Sequence, residues 1–398
     1  MLPLAGCGSS GSSGTVVCNA SSGSSCTKPG MGPEILYGFP AAVLLNTSMT
    51  ATINPNTGGL SSISIETVPF FGSSVAAAPN AQFLYASAGL QIFGYSIGQT
   101  NGTLTPIAGS PFSFPSNASI QGLATAPNSQ FLYAADVAGS IDAFSVDSVT
   151  GVPTSIPGSP FASGLNYQLV VDPSGKFLFA SDDDPPGGIL AFTTDSTGVL
   201  TPVSGSPFAI PGQTVANSEP FGIVDSGSFV YTALTAANQI AAFSIDSVTG
   251  ALSPVPGSPF SAGDQPTTLT STNNFLYAAN WTNGSISGYS ISPSSGALTA
   301  IPGSPFGSNI TTLAADPSGK YLYVGTSLGT LDFDINYAGS RKWKEVVRHS
   351  KHSSMERKLG NLLIGKVETR RHPDLAGTRF NLKPINKLPD YPMPSPML

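Results

Sequence analysis

Three consecutive carboxylates, Asp182-Asp183-Asp184, stand just before Pro185-Pro186. Oxygen donors grouped this tightly are what a hard cation such as Ca2+ takes. The Asp-x-Asp-x-Asp-Gly spacing of a dedicated calcium loop is missing, so a solvated loop is the expectation and Ca2+ the alternative. No other cofactor and no metal is implied. Further groups that could hold a ligand or move a proton are Asp136, Glu219, Asp264, Asn280 and Trp281. The Trp281 ring could stack on a sugar or a peptide, or serve as a half-buried structural residue. Residues 34–338 contain no His and no Arg. A Ser-His-Asp arrangement and a His/Cys zinc set are therefore excluded there, and acid–base work would fall on carboxylates alone. No catalytic residue can be named from the sequence.

The elements that must position these side chains come from a repeat. Gly-Ser-Pro-Phe recurs at 109–112, 158–161, 205–208, 257–260 and 303–306, in steps of 49, 47, 52 and 46 residues. Within each step comes an aromatic-aliphatic-aromatic run, as in Phe83-Leu84-Tyr85, Phe131-Leu132-Tyr133, Phe177-Leu178-Phe179, Phe229-Val230-Tyr231, Phe275-Leu276-Tyr277 and Tyr321-Leu322-Tyr323. Ile35-Leu36-Tyr37 fits the same frame and makes seven copies. A second run follows, as in Phe144-Ser145-Val146, and then a Gly turn, as in Thr150-Gly151. Short strands of β-branched and aromatic residues cut by Gly, Pro, Asn and Asp predict an all-β chain. Four such strands per unit of this length predict propeller blades.

That architecture sorts the candidate residues by face. Loops joining the second and third strands, and loops between blades, emerge together. They collect Asp136, Asp182, Asp183, Asp184, Glu219, Asn238, Asp264 and the segment Asn280-Trp281-Thr282-Asn283. The opposite face carries the repetitive turns, such as Asp172-Pro173-Ser174-Gly175, where Pro presets φ and Asp caps the turn. Such Asp residues are expected to form turns rather than bind ligands. Lys176 and Lys320 lie just after two of these turns, a place that does not suit a channel ligand.

The unit Asp316-Pro317-Ser318-Gly319-Lys320-Tyr321-Leu322-Tyr323-Val324 resembles the YVTN-type repeat of seven-bladed propellers. With its Thr-Gly-Ala-Leu turn at 249–252 and its Gly-Ser-Pro-Phe ending, the longer unit is similar to the lactonase-like propeller family, relatives of the propeller-type 6-phosphogluconolactonases. The resemblance covers about 34–336 and implies seven four-stranded antiparallel blades. It also implies a first blade that lacks its innermost strand, to be supplied by the end of the chain. Here the pattern stops after Asn336-Tyr337, so an incomplete last blade and an open edge on blade one, blade seven or both are expected. The family implies lactone hydrolysis by basic and acidic groups around the channel. The basic ones have no equivalents in 34–338.

Charge divides the chain. Residues 1–338 hold 3 Lys and 17 acids, a net −14, whereas 339–398 hold 13 Lys and Arg against 5 acids, a net +8. A propeller this acidic is a poor nucleic-acid binder, since phosphate contacts need Lys and Arg. Residues 339–398 read as a basic, Pro-rich tail foreign to the propeller, or else a genuine extension that binds a partner or a membrane surface. Leu362–Val367 is its one strand-like run, flanked by Arg357, Lys358, Arg370 and Arg371. Residues 1–33 read as a leader and a Gly/Ser tether. Leu4-Ala5-Gly6-Cys7 resembles a bacterial lipobox, which would place a lipid on Cys7 and the protein outside the cytoplasm, anchored or secreted. Cys18 and Cys26 could then pair in an oxidising compartment, or remain idle thiols. The expectation is a monomeric binding or scaffold propeller for a carbohydrate, lactone or protein ligand, with no nucleic acid and no membrane contact beyond the anchor. The alternative is a lactonase of the 6-phosphogluconolactonase type.

Overall fold

The computed structural model describes residues 15–18, 34–38, 47–53, 60–67 and most of 74–334, with side chains over most of 74–324. Residues 335–398, Cys7 and Cys26 lie outside the described residues, as does the side chain of Cys18. Within the described residues every named element is a strand, and the strands form seven antiparallel sheets. Each sheet is a blade, built from strands a to d outward from the axis. Blade three shows the plan: Ile120–Thr125, Phe131–Asp136, Ser140–Val146 and Pro153–Ser155 pair in that order. Blade seven holds three strands, Ile310–Ala315, Tyr321–Thr326 and Gly329–Asp334, among the described residues.

The recurrent Phe-x-Tyr of strand b is an inter-blade device. Phe83, Phe131, Phe177 and Phe229 pack on glycines in the c–d turns of the next blade: Gly151, Gly198, Gly250 and Gly296. A Cβ at Gly296 would stand 2.4 Å from the Phe229 ring, and its φ is +74°, so the position is reserved for glycine twice over. The tyrosines tie the same seam. The hydroxyls of Tyr85, Tyr133 and Tyr231 donate to the carbonyls of Gly151, Gly198 and Gly296 at 2.7, 3.3 and 2.9 Å. Blade four carries Phe179 at this position and makes no such bond. Burial of these rings pushes the phenols of Tyr85, Tyr133 and Tyr231 up from the usual range.

Gly-Ser-Pro-Phe ties each blade to itself. Its serine hydroxyl accepts the N–H of the mid-strand residue of c: Gly94 to Ser110, Ala143 to Ser159, Ala191 to Ser206, Ala242 to Ser258 and Gly288 to Ser304. Strand d stops after three residues, so strand c has outward N–H groups left over, and a buried N–H without a partner is costly. The motif returns the chain to cover them, and its Phe re-pairs with the start of strand c, as Phe161 does with Ile141. The Ser-Pro bonds of the five copies are cis.

Ring closure departs from expectation. The open inner edge expected on blade one is absent. Thr15–Cys18, inside the segment read as a tether, pairs with Glu34–Gly38 in the register Val16 to Tyr37 and Val17 to Leu36. Blade one therefore has four strands, Thr15–Cys18, Glu34–Gly38, Thr47–Ile53 and Leu60–Thr67. The new inner strand lies beside Ile310–Ala315 of blade seven and Ser74–Ala77 of blade two, so the circle of a strands is complete. An unpaired edge would leave N–H and C=O groups open to another chain, and this strand covers that edge from the N-terminal side.

Candidate functional site

Strands b end on one face of the ring, and the b–c turns stand there with the loops that lead into the next a strand. Asp136, Asp182 and Asn280 close the b strands of blades three, four and six. All three side chains turn inward and are buried. Asp136 Oδ1 accepts the N–H groups of Ala138 and Ser140 at 2.9 and 3.0 Å. Asn280 Nδ2 donates to Ser285 and Ser287 at 2.9 and 3.0 Å. Asp182 Oδ1 accepts the Asp184 N–H at 3.1 Å. Asp136 and Asp182 hold their turns from beneath by taking backbone donors the turn leaves over, and Asn280 does so through the serine hydroxyls.

Above them the face is acidic. Asp183 and Asp184 are half-buried, while Glu219 leads from blade four into blade five and Asp264 is exposed between blades five and six. Burial, offset in part by the Asp184 N–H, moves the Asp182 carboxyl up to about 6, and the charges of Asp184 and Asp183 push the same way. Burial also raises Asp183, and the neighbouring charges of Glu219 and Asp184 add to it. Asp183 Oδ1 is sealed from solvent with no hydrogen-bond partner. These are the conditions in which a carboxylate takes up a proton readily.

Glu219 and its counterpart one blade on, Gln265, both precede a proline and both sit at positive φ, 43° and 53°. Non-glycine residues in this region cost of order 1–3 kcal/mol and gather at ligand clamps. Gln265 is held by its surroundings: its N–H donates to Asn238 Oδ1 at 2.7 Å, its carbonyl accepts the Trp281 N–H at 2.8 Å, and its Oε1 accepts the Thr282 hydroxyl at 2.7 Å. The Trp281 ring projects from this turn, 51% exposed.

A second acidic pair lies deeper and was not foreseen. Asp142, in strand c of blade three, shares its sheet face with Asp136. Its Oδ1 accepts the Ser159 hydroxyl at 2.9 Å. Burial raises its carboxyl, the Ser159 bond opposes this, and the Asp136 charge adds to it. Both Oδ2 atoms are buried without a partner. The signal was present in Ile141-Asp142-Ala143, one charge inside an apolar strand. Among the described residues no three His, Cys, Asp or Glu side chains converge to hold a metal ion. A groove lined by Gln82, Ser96, Gln99 and Ser148 lies on the other face and brings no ionisable group together. Asp172 acts as expected on that face, accepting the N–H groups of Ser174 and Phe177 at 3.0 and 2.8 Å.

Residues 209–302 and 231–358 match the family model described as Lactonase, 7-bladed beta-propeller. The match covers less than half of the chain, and the fold it names, a seven-bladed propeller, is the one the seven sheets form. Among solved structures, the chain is similar to a candidate 6-phosphogluconolactonase from Bacteroides fragilis, at 17% identity and a TM-score of 0.63, over 78% of this chain and 93% of that one. It is also similar to the periplasmic gluconolactonase of Pseudomonas aeruginosa, at 16% identity and a TM-score of 0.60, over 79% and 94%. A candidate 6-phosphogluconolactonase from Bacteroides uniformis is 22% identical with a TM-score of 0.57, over 67% and 81%. At these identities the likeness shows the fold. No curated protein matches the sequence.

Proposed function

We propose that the propeller hydrolyses an uncharged sugar lactone at the Asp182–Asp183–Glu219 face. The observation that carries this reading is the group of carboxyls raised by burial and by one another on the ligand face of a lactonase-type fold. It moves the balance from a pure binding scaffold to the lactonase named as the alternative. Asp183 is the general base. It takes a proton from water, whose oxygen adds to the lactone carbonyl carbon. The ring C–O bond then breaks and the leaving oxygen regains a proton. Uptake by Asp183 relieves its repulsion with Glu219 and Asp184, so the same charges that raise it favour the transfer. The hydroxy-acid product is an anion and leaves an acidic face readily.

The substrate differs from a phosphorylated lactone. A phosphate group calls for Arg or Lys donors, and residues 34–338 contain two Lys in all, Lys176 and Lys320. Oxyanion stabilisation falls to neutral donors, so turnover is expected to be modest. The test is hydrolysis of glucono-δ-lactone against 6-phosphogluconolactone by the purified chain. The neutral lactone should be preferred, and Asp183→Asn should lower kcat by about 10²–10⁴. A chain with no activity above the uncatalysed rate, or an Asp183→Asn variant with full activity, would return the protein to the scaffold reading.

A further inference from the structure

Trp281 is the one large aromatic that this face exposes among the described residues, and its setting fits a particular partner. It follows Asn280 in blade six as Asp183 follows Asp182 in blade four, so the two occupy equivalent positions two blades apart. The turn beneath it is fixed. Asn280 braces it through Ser285 and Ser287, Gln265 accepts its N–H, and Asn283 Oδ1 takes the Ser285 hydroxyl at 2.7 Å. A turn held this firmly presents the indole from a fixed backbone, so little backbone entropy is lost on binding. Its turn carries the Thr282 hydroxyl, which donates to the Gln265 amide oxygen, and Gln265 itself accepts the Trp281 N–H. One apolar plate ringed by neutral hydrogen-bonding groups matches a pyranose, which offers a C–H face and hydroxyl edges. It is too small an apolar area for a stable protein interface, which buries about 800 Å² on each partner.

We infer that Trp281, with Thr282 and Gln265, is a stacking subsite for a further sugar ring of an oligosaccharide whose terminal lactone lies at Asp183. This rests on the lactonase reading for its orientation, but the sugar contact itself does not. Neighbouring sheets pack roughly 10 Å apart, so two blade steps exceed one sugar ring and suit two or three. The strained Glu219 and Gln265 stand at the start of successive blades and so line the path between the two points. A lactone of this kind arises by oxidation of the reducing-end carbon of an oligosaccharide, and its hydrolysis yields the corresponding aldonate.

Fluorescence separates the two halves of the inference. Trp343 is the chain's other tryptophan, so in a Trp343→Phe background the emission reports Trp281 alone. Titration with cellotriose and with maltotriose should give a saturable shift with at least one of them, and glucose should give little. Trp281→Ala should weaken binding about tenfold, and Trp281→Phe should recover most of it. Asp183→Asn should bind the trisaccharide normally while losing hydrolysis. With trisaccharide-derived aldonolactones Trp281→Ala should raise KM and spare kcat. No saturable shift with either trisaccharide, or undiminished binding by Trp281→Ala, would overturn the subsite even if hydrolysis is found. Trisaccharide binding without hydrolysis would sustain the subsite and sink only the lactonase reading.

Discussion

Asp225→Asn should stabilise the propeller at pH 8 and leave it unchanged near pH 4. Asp225 ends the innermost strand Pro220–Asp225 of blade five, on the face opposite the candidate site. Its Oδ1 accepts the Gly227 N–H at 2.6 Å, while Oδ2 is sealed without a partner. Burial moves its carboxyl from 3.8 up to about 7; the Gly227 bond opposes this and the Asp172 charge adds to it. The folded chain therefore holds this proton more tightly than the unfolded one. The corresponding stability is complete below about pH 4 and is lost as pH rises through about 7. At about 1.4 kcal/mol per pH unit the full gap corresponds to roughly 4 kcal/mol. The residue keeps some exposure, so about 1–3 kcal/mol is the expected gain for an amide that retains the Gly227 bond and carries no charge. Urea unfolding of the wild type and the variant, from pH 4 to pH 8, measures it as a difference in midpoint at constant m. The two curves should converge at the acid end. A variant less stable at pH 8, or one equally stabilised at both ends, would refute the reasoning that ionisation at this site is what costs.

Gly296→Ala should lower stability by about 2–4 kcal/mol, read as a drop in Tm, because its Cβ meets the Phe229 ring at 2.4 Å while φ stays positive. Tyr85→Phe should cost about 1 kcal/mol in the same assay, the worth of a buried hydroxyl bond whose acceptor Gly151 O is left over. Deleting residues 1–18 should open the ring at blade one and promote association through the bared edge, seen by size-exclusion chromatography with light scattering; a monodisperse monomer of unchanged Tm would show that Thr15–Cys18 is dispensable. Catalysis by a deprotonated Asp183, whose carboxyl burial and the charges of Glu219 and Asp184 raise above the usual carboxylate range, should give a kcat/KM that climbs with pH to a plateau, after subtraction of the spontaneous rate; a profile with no acid limb would exclude this base.

The fold was legible because it is stated many times. Phe-Leu-Tyr marks strand b in copy after copy, and each copy faces the same inter-blade requirement: an aromatic ring must meet a glycine one blade on. The purpose of Gly-Ser-Pro-Phe was less legible, since the N–H its serine satisfies lies 15 or 16 residues upstream in strand c. Blade one was misread for a different reason. Thr15-Val16-Val17-Cys18 is a bare β-branched run inside a Gly/Ser stretch, and what makes it a strand is pairing with Glu34–Gly38 together with its place beside blades two and seven. Four residues carry no periodic signal of that.

The site is harder to read than the fold because a ligand-binding face consists of departures from the repeat. The residue that closes strand b is Ala88, Asp136, Asp182, Leu234, Asn280 or Thr326 from blade two to blade seven. Position alone puts all six at the same face. At Asp136 the b–c turn has two backbone N–H groups to satisfy, so the carboxylate is drawn inward. The next residue along, Gly89, Val137, Asp183, Thr235 or Trp281 in blades two to six, escapes that demand. Its own N–H is already taken by the preceding loop carbonyl in three of these turns, those of Val137, Thr235 and Trp281; the side chains of Val137 and Trp281 are left exposed, while the Thr235 hydroxyl donates to the Pro266 carbonyl at 2.9 Å. Chemistry on this face therefore belongs one residue beyond the strand end. It is there that the seven-fold pattern breaks into an acid in blade four and an indole in blade six.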